Sequence, residues 1–141
     1  MSKYDDVSWH YDGDFPSELT EKNACTHIGM FIGWAIKRGL EGNFLKEIAS
    51  DGIRKLKSGE ITGGEFIYSY CDGKLTNEDL NDSANKFAEE YYENDVYMSD
   101  YAEALGEDVP TLYHVEDNSN NALLIEDILD KRFKEYQTRK P

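Results

Sequence analysis

The chain has 141 residues, 39% of them hydrophobic and 13% aromatic, and 29 acidic side chains against 15 basic ones give a net charge of −14. A chain this long holds one hydrophobic core, and its apolar content is too high for a disordered acidic tail. So negative a surface argues against binding to nucleic acid or to an anionic membrane.

The first twenty residues read as an ordered loop. Tyr4, Trp9, Tyr11 and Phe15 are large rings that suit packing on a core, while Gly13 and Pro16 interrupt any regular element. A first helix is expected over residues 21–38. Ala24, Ile28, Phe31 and Ala35 share one face, and Met30, Ile32, Trp34 and Ile36 make it apolar nearly all round, as in a central helix. Gly29 and Gly33 would let another element approach it closely, and Gly39 is placed to end it. A second helix is expected over residues 43–57. Thr62 and Glu65 have the spacing of a capping box, so a third begins there and carries Phe66, Ile67 and Tyr70. Thr76 and Asp79 repeat that spacing before a fourth helix with Leu80, Ala84, Phe87, Ala88 and Tyr91 on one face. A fifth is expected from Val96 to Leu105. Val109–Val115 reads as the one short extended segment, and Asn118 or Ser119 caps the last helix. The expected fold is mainly α, a single domain of about six helices with an ordered N-terminal loop.

Two features bear on location. Residues 1–6 lack the basic start and apolar run of a secretory leader, and residues 24–40 are interrupted by Thr26, His27, Lys37 and Arg38. Cys25 and Cys71 read as buried thiols of a reducing compartment, so the cytoplasm is the expected location.

No phosphate-binding glycine loop, nucleophile elbow, calcium loop, Cys-x-x-Cys or His-x-x-x-His occurs. Three histidines, His10, His27 and His114, could converge with Asp5, Asp6 or Asp14 on zinc, iron or manganese, or do acid–base work. Against this stands the plainer expectation that His27 is a buried, hydrogen-bonded imidazole and that His10 and His114 anchor loops. On that expectation there is no catalytic residue, no metal ligand and no cofactor. The denser pattern is residues 89–101, where four tyrosines and a methionine alternate with five acids. Tyrosine area and carboxylate charge are what protein interfaces use, so Glu89, Glu90, Tyr92, Glu93, Asp95, Tyr97 and Asp100 are the expected partner contacts. Residues 72–130 carry seventeen acids and two bases, a field that steers a basic partner.

The chain resembles a bacterial group of unknown function marked by Trp9-His10 and Thr26-His27-Ile28-Gly29-Met30-Phe31. Tyr4-Asp5-Asp6, Asp14-Phe15-Pro16, Trp34-Ala35, Asp79-Leu80-Asn81, Tyr91-Tyr92, Asp100-Tyr101 and Tyr113-His114-Val115 also match. Small acidic members of such groups resemble immunity proteins encoded beside toxins. The resemblance therefore implies a non-enzymatic toxin inhibitor whose cognate toxin has a basic surface, as a nuclease has. The alternative is a metal-binding protein or enzyme built on His10, His27 and nearby carboxylates.

Overall fold

The fold is described by a computed structural model covering residues 2–139; Met1, Lys140 and Pro141 lie outside the described residues. It is mainly helical with a minor extended part, as expected. At its centre is helix α2 (Thr26–Lys37), preceded by a 3-10 turn at Glu21–Cys25, and every residue from Thr26 to Ile36 is buried. A helix this apolar on all sides must be enclosed by other elements. Gly39 follows it at φ 73°, a conformation that lets the chain leave the helix sharply.

Helix α5 (Gly63–Tyr70) crosses α2 where Gly29 meets Gly63 and Gly64. The capping box at its start has both bonds, Glu65 N–H to Thr62 Oγ1 at 3.1 Å and Thr62 N–H to Glu65 Oε1 at 2.9 Å. The other long partner of α2 is α8 (Ser119–Arg139), whose Asp130 accepts from Trp34 Nε1 at 2.8 Å and from the Arg38 guanidinium at 2.9 Å through both carboxylate oxygens. Asn118 is the cap of α8, its Oδ1 accepting from Asn121 N–H at 2.8 Å.

Several local expectations changed. The segment 43–57 is two helices, α3 (Asn43–Ile48) and α4 (Ser50–Ser58), broken at Ala49, whose backbone is not helical. Thr76 and Asp79 do form a capping box, yet it serves a single 3-10 turn, Asn77–Asp79. Helix α6 (Asp82–Tyr91) starts afresh, with Asn81 Oδ1 accepting from Ala84 N–H. Helix α7 spans Val96–Leu105. Val109–Val115 is not a strand: Thr111 caps a 3-10 turn at Leu112–His114. The extended residues lie elsewhere, in β1 (Lys3–Asp6) and β2 (Lys74–Thr76). These pair antiparallel with Lys3 opposite Thr76 and Asp5 opposite Leu75, with an irregularity between Lys3 and Asp5. The first twenty residues are thus strand, then the short helix α1 (Val7–His10), then loop.

Cys25 and Cys71 are free thiols, and burial pushes Cys25 up to about 12. Among the described residues no helix is long and apolar enough to cross a membrane.

Asp79 offers a test of this part of the fold. Its buried carboxylate accepts from Thr76 N–H at 2.8 Å. Burial pushes the carboxyl up to about 6, against those Thr76 bonds, and Glu78 adds to the rise. The folded chain therefore holds a proton, between about pH 4 and 6, that the unfolded chain has released, and ionisation above that window costs stability. Asp79→Asn keeps the acceptor oxygen and removes the charge. Urea unfolding should find the variant more stable by about 1–2 kcal/mol at pH 7.5, with the difference shrinking as the pH falls through about 6 and nearly gone only at about pH 3.5. A difference independent of pH would contradict the assignment.

Candidate metal centre

Three elements bring Asp5, His10 and His27 together. Asp6 caps α1, its Oδ1 accepting from Ser8 N–H at 2.9 Å and from the Ser8 hydroxyl at 2.8 Å, while Lys3 Nζ lies 2.8 Å from its Oδ2. The capped turn folds the chain back on itself, so that His10 Nε2 lies 2.6 Å from Asp5 Oδ1. His27, in the first turn of α2, places its Nε2 3.1 Å from Asp5 Oδ2. The two imidazoles meet edge to face, 4.6 Å between centroids. One ligand atom from each of the three residues falls within 4.8 Å of the others. For comparison, metal–ligand bonds of about 2.1 Å separate neighbouring ligand atoms by roughly 3.0–3.4 Å, so only small side-chain movements would close the set on an ion.

The surroundings set the protonation. Asp5 and His27 are buried, whereas the His10 side chain keeps 21% of its surface exposed. Burial works against ionising Asp5, but hydrogen bonds from His10 and His27, the His27 charge and the Tyr92 hydroxyl outweigh it and hold the carboxyl well below its usual range. Burial lowers the pKa of His27, the Asp5 carboxylate pulls it back, and His10 lowers it further; the net result is downward. The site therefore contains a carboxylate and at least one neutral imidazole, the protonation states that bind divalent transition metals.

Two tyrosines complete it. Tyr92, just past α6, donates its hydroxyl to Asp5 Oδ2, and burial raises its pKa well above normal, which keeps that proton in place. The Tyr113 hydroxyl lies 2.8 Å from His10 Nδ1. With Nε2–H donated to Asp5, Nδ1 accepts from Tyr113. With Nε2 bound to an ion, Nδ1–H would donate to the same oxygen, so this one hydroxyl serves both tautomers. Neither tyrosine was recognisable in the sequence as part of this cluster, Tyr92 being expected at a partner surface instead, because nothing local to Tyr92 or Tyr113 points to residues 5 and 10.

The expectation of a non-enzymatic protein is therefore corrected. A His–His–Asp cluster able to hold an ion is present, and three protein ligands are the number that leaves a coordination position open for chemistry. Of the other candidates, His114 bonds Glu18 and Thr111, each at 2.8 Å, Asp6 is used as a cap, and Asp14 is exposed.

The seven expected partner contacts separate into three groups. Glu89, Glu93 and Asp95 are exposed. Glu90 pairs with Arg139 at 2.8 Å, and Asp100 binds the Arg132 guanidinium and the Tyr91 hydroxyl. Tyr92 and Tyr97 differ from the surface position suggested by their acidic neighbours, being only 5% and 1% exposed. The left-handed turn at Asp95 (φ 63°) redirects the chain between α6 and α7 and sends both rings inward. There they stack at 5.0 Å, Tyr92 against Phe31 and with Tyr97 donating to the His27 carbonyl.

No curated protein and no solved structure matches the chain. The sequence model of one family, described as a domain of unknown function (DUF7832), matches residues 3–115. That span contains Asp5, His10, His27, Tyr92 and Tyr113 and stops short of α8. Its description carries no toxin association, and the chain's chemistry gathers in a metal-type cluster, so the reading as an immunity protein and toxin inhibitor is corrected as well. The chain belongs to the DUF7832 family of domains of unknown function.

Proposed function

We propose that this protein binds one divalent transition-metal ion through Asp5, His10 and His27, and that a position left open on the ion carries its chemistry. The observation behind this reading is the approach of three potential ligand atoms to within 4.8 Å in a largely buried setting. Two imidazoles and one carboxylate suit zinc, iron(II) or manganese(II) rather than calcium or magnesium, which prefer oxygen. A bound ion supplies Lewis acidity. The chain's own part is to orient the ligands, through the Tyr113 and Tyr92 hydroxyls, and to limit water to the side where His10 is exposed.

The competing reading is a hydrogen-bonded polar hub without metal, since Asp5 already accepts from His10, His27, Tyr92 and the Asp6 amide. Binding separates the two readings. Full-length protein purified without chelator and titrated with cobalt(II) should take up one equivalent and show ligand-field absorption. Zinc at a hundredfold excess over its Kd should add about 2.7 kcal/mol of stability. His27→Ala should abolish the cobalt spectrum. If the wild type binds none of zinc, iron(II), manganese(II) or cobalt(II) and its Tm does not move, the metal reading is wrong and the hub remains.

A further inference from the structure

Helix α7 carries Tyr101, which is 0% exposed and whose ring packs on those of Tyr97 and His27, at 6.0 and 6.1 Å between centroids. Its hydroxyl is the one buried side-chain nitrogen or oxygen among the described residues that no protein group bonds. The other four buried tyrosines all have an acceptor. Tyr4 donates to Asn85 Oδ1 at 2.7 Å, Tyr91 to Asp100 at 2.6 Å, Tyr92 to Asp5 and Tyr97 to the His27 carbonyl. A hydroxyl taken from water into a core loses the bonds it made there, so buried hydroxyls are ordinarily matched by a partner.

One carboxylate acts on this hydroxyl from nearby. Burial raises the Tyr101 pKa, and the charge of Asp117 raises it further. Asp117 is fixed at the start of α5: its Oδ2 accepts from Thr62 Oγ1 at 2.6 Å and lies against Gly64, where a methyl would meet it at 2.4 Å. The same methyl would touch the Thr26 Cα at 3.6 Å, so the carboxylate also borders the first turn of α2. Asp117 is thus within electrostatic reach of the Tyr101 hydroxyl but not bonded to it. A buried donor and acceptor in this relation are commonly joined through one ordered water. We propose that a single water molecule is bound inside the protein here, accepting the Tyr101 hydroxyl proton and donating to the Asp117 carboxylate. The ligand must both accept from a phenol and donate to a carboxylate, and water is the smallest molecule that does both. The bridge ties α7 to the segment leading into α8, and it does not depend on a metal at Asp5.

Oxygen-17 relaxation dispersion on the full chain tests this, because it counts long-lived internal waters directly. The wild type should show at least one, and Tyr101→Phe should show one fewer. The substitution removes only the hydroxyl, and circular dichroism would verify that the fold is kept. Its Tm should also fall, by about 3–5 °C, because a satisfied hydroxyl is lost and Asp117 loses the water that donates to it. A dry hydroxyl predicts the opposite, an unchanged or higher Tm, since removing it would relieve an unmet bond. Absence of any long-lived water in the wild type, equal counts in the two proteins, or a Tm that does not fall would each overturn the proposal. Equal counts with a lower Tm would assign a direct Tyr101–Asp117 bond in its place.

Discussion

Asp5→Ala should destabilise the protein by about 3–5 kcal/mol at pH 7 and abolish metal uptake. Asp5 is 5% exposed and accepts from four donors: His10 Nε2, His27 Nε2, the Tyr92 hydroxyl and the Asp6 amide. Removing it strands those donors in a site that water reaches only past His10. The cost is then mainly that of unsatisfied buried polar groups, with the loss of an attraction adding to it. For a domain of this size, that is a fall in Tm of roughly 10–20 °C. Asp5→Asn separates structure from ligation. Its amide retains one acceptor oxygen and should recover part of the stability, but it lacks the negative charge and should still fail to hold cobalt(II). A fully stable, metal-binding Asp5→Ala protein would contradict both roles assigned to this carboxylate.

The second large effect is expected far from any charge. A methyl group at Gly29 would lie inside the van der Waals envelope of the Gly64 nitrogen and the Gly63 carbonyl carbon, and 2.5 Å from the Gly63 oxygen. All three are backbone atoms, so no side chain can rotate away, and α2 and α5 must separate. Gly29→Ala should therefore cost at least about 3 kcal/mol despite the better helix propensity of alanine. Because His27 lies two residues away on the same helix, metal affinity should fall with stability. Gly33→Ala is the internal control. Its methyl would meet the Gly63 Cα at 3.8 Å and a Leu56 methyl at 3.9 Å, which is ordinary contact. Gly33→Ala should be neutral or stabilising by up to about 1 kcal/mol, the usual gain for alanine over glycine within a helix. Chemical denaturation of the two variants side by side should give effects of opposite sign. Similar losses from both would mean that α2 and α5 are not held at the distance described.

Much of the helical architecture was legible from the order of residues. The all-round apolar pattern of residues 24–36 marked α2 as central, and all of Thr26 to Ile36 is buried. Gly29 stood out as a point of close approach, and the Thr62–Glu65 box marked the start of α5. Features of this kind depend on neighbours within about one helical turn, which the sequence displays directly. Where a local signal competed with a distant one, it was less dependable. Thr76 and Asp79 had the spacing of a helix start, but the chain makes only one 3-10 turn there and begins α6 at Asp82, capped by Asn81.

The site was legible only as a list of parts. Asp5, His10 and His27 stood among the candidate ligands, yet so did His114, Asp6 and Asp14, and nothing along the chain separated the two groups. The surface pattern of residues 89–101 misled for the same reason: tyrosines flanked by acids look exposed until the turn at Asp95 sends two of them inward. Composition and periodicity by themselves determined a mainly helical, acidic domain, the central helix and most of its caps. Only the tertiary structure decided which ionisable groups meet. Asp5 is set opposite Leu75 by strand pairing, Tyr92 reaches it from 87 residues away, and Tyr113 reaches His10 from 103. Those contacts exist because the whole core closes around α2, a condition that no single stretch of sequence contains.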